Sequence, residues 1–516
     1  MERYPFYIAG SEIFEGDGEI NVVNPATGEA FATVPRASAE QVDEAVTKAD
    51  SAFQPWSSAS PFTRGKILRK AAAIVRERAV CIASLMTREQ GKPYSEALGE
   101  VGKGADILVY YAEEGERVYG RVIQAPDGPM FRSEVIYQPI GVAAAISPWN
   151  YPVELLAWKI GGALAAGCTL VAKVPSETPL NALAFARCVM DAGLPEGVLS
   201  AIAGPGRTVG AALVRHPLVR KVAFTGSTAV GREVLRSTAD SFKKVSLELG
   251  GSLPMLVFAD CDLDLAVGGA LRRSFRNMGQ ICIAVNRIFI QRPVYEQFVE
   301  LLWSAAEKLT IGDGFGEGVD LGPMCTIAGL ETVKRHVADA VAKGARLITG
   351  GGPPAYVIPS GGPSAHMVPT DGPPAFMVPT NGPLSDVIPT GGKYANGLFY
   401  SPTVLADTTP DMLIMREETF GPVVGAAPFD DEDEAVERAN DTPYGLAAIV
   451  YTKNINTAHN TAMRIRAGNV SVNNPDPGVI NAPYGGWQDS GFGCEHGPEG
   501  LMEYLHTKHI RTRYKE

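Results

Sequence analysis

Several things are scarce in this sequence, and each scarcity excludes something. Cysteine is sparse and unpaired: seven residues, at 81, 168, 188, 261, 282, 325 and 494, with no C-x-x-C pair among them. That excludes a disulfide framework and a thiolate zinc site, so no metal is expected, and it fits a reducing, cytoplasmic setting. Positive charge is lacking as well. A formal net charge of -11 and a pI near 5.3 exclude a general nucleic-acid or anionic-membrane binder, because both need a basic surface. The opening "MERYPFYIAG" has no basic segment followed by an apolar one, so no signal peptide is expected. The most apolar long region, residues 141–174, is broken by Pro148, Pro152, Glu154 and Lys159, which excludes a membrane span there.

What remains is an ordinary globular composition, 45% hydrophobic and 20% charged, in a chain of 516 residues with material for more than one core. Apolar residues recur at helical spacing in "AEQVDEAVTKADSAFQPW" and "TRGKILRKAAAIVRERAVCIASLMTREQG". From about Val135 the texture alternates. The strands "GVAAAIS", "TLVAKVP", "VLSAIAG", "KVAFTGS" and "KVSLELGG" are separated by helical segments, and a second run of the same kind starts at "PMLVFAD". This pattern predicts an α/β fold with two doubly wound parallel-sheet domains. Residues 352–391 break it with four ten-residue copies, "GPPAYVIPSG", "GPSAHMVPTD", "GPPAFMVPTN" and "GPLSDVIPTG". Proline at this frequency forbids a helical solenoid and predicts short extended pieces, a proline-stiffened arm expanded from a surface loop.

Open parallel sheets bind ligands at the carboxyl ends of their strands. Gly226, Ser227 and Thr228 close one strand and open a helix, offering free N–H groups and hydroxyls suited to a phosphate; the same trio also serves as a plain helix cap. Lys173 ends another strand and suits a ribose or phosphate, or a lysine that snorkels to solvent. Asn150 is an uncharged donor suited to an oxyanion, or a turn residue. Glu248, between Leu247 and Leu249, suits a general base raised by desolvation, or a solvated turn. Cys282, in "NMGQICIAVN", suits a nucleophile or a small buried hydrophobe. The glycine and amide just before it are odd for a plain strand interior.

Taken in order, "SPWNYP", "LAAGCTLVAK", "FTGSTAVG", "LELGG", "GQIC" and "EETFGPV" resemble the aldehyde dehydrogenase superfamily, along nearly all of the chain except the repeats. The 34-residue step from Glu248 to Cys282 matches that family's spacing. The resemblance implies that Cys282 attacks an aldehyde, Asn150 holds the oxyanion, Glu248 activates the water that hydrolyses the thioester, and Lys159 relays protons. It implies NAD or NADP held by Ser147, Trp149, Lys173, Ser176, Arg207, Gly226, Ser227, Val230, Leu249, Glu418 and Phe420. It also implies a substrate pocket of Tyr151, Leu155, Trp158, Ile281, Ile283, Gly478 and Tyr484. The dinucleotide domain is expected at 1–118 and 140–250, and the catalytic domain at 251–470. Oligomerisation strands are expected at 119–139 and 490–516, in a homodimer or homotetramer.

Departures from the family refine these expectations. Ser176 stands where NAD-preferring members carry a glutamate on the adenine ribose, and Arg207 falls in a loop expected nearby. Both favour NADP, although a one-residue slip onto Glu177 would restore NAD. Trp158 stands where succinic-semialdehyde members carry an arginine, favouring an apolar aliphatic or aromatic aldehyde over a semialdehyde. A CoA-acylating relative is disfavoured because those members generally lack the base at Glu248. A non-catalytic structural or interaction protein is the remaining alternative.

Overall fold

The computed structural model describes residues 1–360, 365–367, 377–379 and 388–514. Helical periodicity in the N-terminal third is met by Ala39–Ser58, Pro61–Glu77, Ala79–Gln90 and Tyr94–Glu116. Ser38 starts the first of these with a reciprocal capping box, its hydroxyl accepting from the Gln41 N–H while the Gln41 side chain accepts from the Ser38 N–H. The periodicity misses the short strands ahead of them, Phe6–Ile8 and Ser11–Ile13, which extend the first sheet at its edge.

That sheet has eight strands, in the order Gly491–Phe492, Lys244–Leu249, Val219–Gly226, Val142–Ile146, Thr169–Lys173, Leu199–Ile202, Phe6–Ile8 and Ser11–Ile13. The strands from Lys244–Leu249 to Leu199–Ile202 run parallel, with antiparallel additions at both edges. Val142–Ile146 and Thr169–Lys173 are buried throughout, as strands covered on both faces must be. The chain winds one way from Val142–Ile146 through Thr169–Lys173 and the other way through Val219–Gly226. The switch point therefore lies between Ser147–Asn150 and Thr225–Ser227.

The second sheet has seven strands, in the order Arg346–Thr349, Thr403–Ala406, Val423–Phe429, Val285–Gln291, Leu253–Val257, Ala447–Tyr451 and Asn469–Val472. Its coupling to the first sheet creates the site. Lys244–Leu249 ends at the carboxyl edge of sheet one, and Gly250–Ser252 carry the chain straight into Leu253–Val257, at the amino edge of sheet two. Leu253 pairs in parallel with Val285, so the residues just before Val285 are delivered to the same crossing.

A third sheet joins Leu505–Arg513, Phe131–Pro139 and Arg121–Gln124. Residues 490–516 contribute strands to two sheets. Gly491–Phe492 completes sheet one beside Lys244–Leu249, and only Leu505–Arg513 enters the small sheet. The described parts of the repeats form two nested antiparallel pairs, Tyr356–Val357 with Ile388–Pro389 and Ala365–Met367 with Met377–Pro379. Residues 361–364, 368–376 and 380–387 of the expected arm lie outside the described residues. Among the described residues, no helix is long and apolar enough to cross a membrane.

Candidate active site

The oddity of "NMGQIC" resolves in the backbone. Asn277, Met278 and Gly279 all have positive φ, at 50°, 57° and 66°, and a Cβ on Gly279 would collide with the Gly421 carbonyl. A left-handed turn of this kind is costly for asparagine and methionine and persists where its surroundings impose it. It halts the helix Leu263–Phe275 and lets Cys282 sit in a turn ahead of the strand Val285–Gln291. It also presses "GQIC" against "EETFGPV", bringing two distant motifs together. Gln280 pins the turn from within, its amide donating to the Asn277 carbonyl at 3.1 Å and its oxygen accepting from the Cys325 N–H at 2.9 Å.

Asn150 faces this turn. Its side-chain amide donates at 3.1 Å to the carbonyl of Gln280, two residues before Cys282. A buried cluster that the sequence did not reveal fixes its position. The Asn150 carbonyl accepts from Lys92 Nζ at 2.9 Å and from Asn277 Nδ2 at 3.2 Å. Lys92 also pairs with Glu100 and lies 3.8 Å from the centre of the Tyr151 ring. The other oxygen of Glu100 accepts from the Val153 and Glu154 N–H groups, at 3.0 and 3.2 Å, which caps a helix that Tyr151 cannot cap. Both partners of the pair have fully buried side chains. Lys92→Met should therefore strand a carboxylate and cost about 3–5 kcal/mol in chemical denaturation, and a Lys92→Met/Glu100→Leu double variant should recover part of it.

Glu248 is the penultimate residue of its strand, 3% exposed, and neither carboxyl oxygen has a hydrogen-bond partner among the described residues. Burial raises its pKa well above the carboxylate range; nearby Glu495 raises it further, and Lys159 opposes both. Lys159 is itself fully buried, donating to Thr225 Oγ1 and Glu495 Oε1, each at 2.6 Å. Glu495 is thus a second residue that motif reading missed, arriving from the last part of the chain. Burial pushes the Cys282 thiol up to about 12, and the Tyr484 hydroxyl beside it works in the opposite direction.

On the other side of Cys282, Glu418 accepts from the Gly251 N–H at 3.3 Å, and burial lifts its carboxyl to about 7. A side chain at Gly250 would collide with that carboxyl, which accounts for the glycine pair after Leu249. Phe420, at φ 49°, meets Trp149 edge-on at 5.4 Å. Ser227 caps the helix Thr228–Thr238, accepting from the Val230 N–H, and Leu249 packs on Gly231 of that helix. Lys173 is buried, and desolvation lowers its pKa. Ser176 donates to the Gly204 carbonyl at 3.0 Å, just ahead of the exposed Arg207, which lies in the helical turn Gly206–Gly210 rather than in the expected loop. The Ser147 hydroxyl is buried without a partner among the described residues.

Leu155, Trp158 and Tyr484 are buried in one apolar cluster, with Tyr151, Cys282 and Ile283 packed against it. Ile281 is buried but does not join them. A Cβ on Gly478 would contact the Tyr484 ring. Trp158 meets Tyr484 at 5.5 Å and His496 at 4.1 Å, and burial holds His496 neutral by lowering its pKa to about 4. His496 is a further wall residue that no motif signalled.

The pattern describing the aldehyde dehydrogenase family matches residues 13–370 and 385–510. The chain is 40% identical to a 3-sulfolactaldehyde dehydrogenase of Pseudomonas putida, over 98% of this chain and 96% of the relative. It is 39% identical to an NADP(+) succinate-semialdehyde dehydrogenase of Escherichia coli, over 98% and 97%. A crystal structure of an aldehyde dehydrogenase from Brucella melitensis biovar abortus superposes with a TM-score of 0.89 at 40% identity, covering 99% of this chain and 98% of the other.

Proposed function

The chain belongs to the aldehyde dehydrogenase family, and we propose that it oxidises an aldehyde with an apolar tail to the carboxylic acid through a covalent bond to Cys282. The observation that carries this reading is the crossing between the two sheets, where Cys282, Asn150, Glu248 and Glu418 converge. Cys282, as the thiolate, attacks the carbonyl carbon. The Asn150 amide and the Cys282 N–H hold the oxyanion, and in other enzymes one such donor is worth roughly 3–4 kcal/mol. Oxidation leaves a thioester on Cys282. Glu248, kept dry and basic, takes a proton from water as that water attacks the thioester. Lys159, hydrogen-bonded to Thr225 and Glu495, lies close enough to lower the pKa of this base, and the pair it forms with the second carboxylate, Glu495, would receive the proton that leaves it.

The residues fit a nicotinamide dinucleotide. The helix N-terminus at Ser227, with Gly226 before it and Val230 after, suits a pyrophosphate, and the unpartnered Ser147 hydroxyl and buried Lys173 offer donors beside it. Glu418 suits a ribose diol, and Trp149, Leu249 and Phe420 suit the flat faces of a ring. When bound, the cofactor supplies the hydride acceptor. Ser176, neutral and next to the turn carrying Arg207, supports NADP over NAD because it leaves room for a 2′-phosphate with a cation at hand.

The aromatic wall of Trp158, Tyr484 and His496 supports an aliphatic or aromatic tail. Arg273, the buried cation nearby, is already paired with Asp476 and donates to the Pro475 carbonyl at 2.5 Å. A semialdehyde is the second reading. The substrates of the relatives favour it, and so does Arg276, which pairs with Glu96 at 3.3 Å close to Tyr151. A homodimer or homotetramer is supported by the edge strand Arg121–Gln124, exposed throughout, with Val122 64% and Ile123 43% exposed.

The test is a panel of apolar aldehydes and semialdehydes, assayed with both cofactors for reduced nicotinamide. Apolar aldehydes should give the higher kcat/KM, and NADP should serve at least as well as NAD. Ser176→Glu should lower kcat/KM for NADP about tenfold or more relative to NAD, through repulsion of the 2′-phosphate. An unchanged ratio would mean that the ribose is held elsewhere.

A further inference from the structure

The Tyr484 hydroxyl lies 3.6 Å from Cys282 Sγ, within reach of a sulfur acceptor, and no other hydrogen bond of that hydroxyl occurs among the described residues. Its ring is held firmly. Tyr484 is 4% exposed, packs edge-on against Trp158 at 5.5 Å and 61°, and is bridged through its backbone to Glu495, with N–H to carbonyl distances of 2.7 and 2.8 Å. Few degrees of freedom remain for the hydroxyl except rotation of its own hydrogen.

We propose that Tyr484 is a further catalytic residue, whose phenol O–H donates to the Cys282 sulfur and stabilises the thiolate that attacks the aldehyde. This rests on the reading of Cys282 as the nucleophile. In the resting thiol either partner can donate. Once the sulfur has lost its proton only the phenol can, so the bond strengthens as charge appears on sulfur. The thiol proton is released to water and Tyr484 keeps its own, as burial requires by raising the phenol pKa well above 10. Sulfur then forms a bond to the carbonyl carbon, and the carbonyl electron pair moves to the oxygen facing Asn150. A cysteine whose burial opposes ionisation needs such a donor, and among the described residues the sulfur has no other hydrogen-bond partner.

The experiment follows alkylation of Cys282 by iodoacetamide against pH, with the modified peptide identified by mass, in wild type and Tyr484→Phe. Phenylalanine keeps the ring and its contact with Trp158 and removes only the donor. The alkylation midpoint should rise by about one unit or more, and kcat/KM for the best aldehyde should fall about ten- to hundredfold, mostly in kcat. An unmoved midpoint would overturn the proposal, as would a change confined to KM, since both describe a mere wall residue. Alkylation needs no aldehyde. A shifted midpoint in a protein that oxidises no aldehyde would therefore uphold the Tyr484–Cys282 bond and overturn only the reaction.

Discussion

Cys282→Ala is expected to lower kcat for aldehyde oxidation by on the order of 10^4-fold or more, because it removes the atom to which the substrate carbon bonds. The oxyanion donors and the cofactor cradle stay in place, so cofactor binding should persist. The variant should also stay folded, losing about 1 kcal/mol for one small apolar group. The informative controls are Cys168→Ala and Cys188→Ala. Both residues are 0% exposed in the core of the first domain, and burial pushes their thiols up to about 11 and about 12. Their replacement should reduce stability and leave kcat nearly unchanged, the opposite pattern. Cys282 is pushed up as far as Cys188. What separates the nucleophile from the structural cysteines is therefore placement: a left-handed turn behind it, the Asn150 amide bonded to the Gln280 carbonyl two residues before it, and Tyr484 against its sulfur. Measured turnover in Cys282→Ala above about 1% of wild type would reject the assignment.

The two parallel sheets were legible because short continuous apolar runs and period-3.6 segments follow one another so regularly from Val135 onward. Phe6–Ile8 and Ser11–Ile13 were not, since a strand of three residues carries too little pattern to read. The division of residues 490–516 was also hidden, because Gly491–Phe492 is a strand only by virtue of lying beside Glu248. Within the site, each residue taken alone had a bland reading as good as the chemical one. Ordered motifs and family spacing identified the candidates, and no amount of local chemistry would have done so. The supporting residues stayed invisible for a different reason. Lys92 reaches Asn150 across 58 positions, and Glu495 reaches Lys159 across 336. Such partnerships leave no periodic trace.

Glu248→Gln is the complementary case, in which chemistry and stability should move in opposite directions. The glutamine keeps the size of the side chain but cannot take a proton from water. The enzyme should form the thioester and then stall, giving a burst of reduced cofactor close to one per active site followed by a steady state slower by about 10^2–10^4-fold. In wild type, deacylation should rise with pH as the raised Glu248 carboxyl ionises, and in the variant that dependence should vanish. Stability should change with the opposite sign. The folded pKa of Glu248 lies above its unfolded value of about 4.3, so burial favours the protonated form. Its cost to the fold is absent below the unfolded pKa, grows as pH rises between the two values, and is complete above the folded one. A neutral amide in its place never carries that cost. The Tm of the variant should therefore match wild type near pH 4 and exceed it increasingly toward neutral pH. Normal steady-state hydrolysis without a burst would exclude Glu248 as the base. A Tm gap that closes rather than opens with rising pH would mean that its carboxylate is better satisfied than two unpartnered oxygens allow.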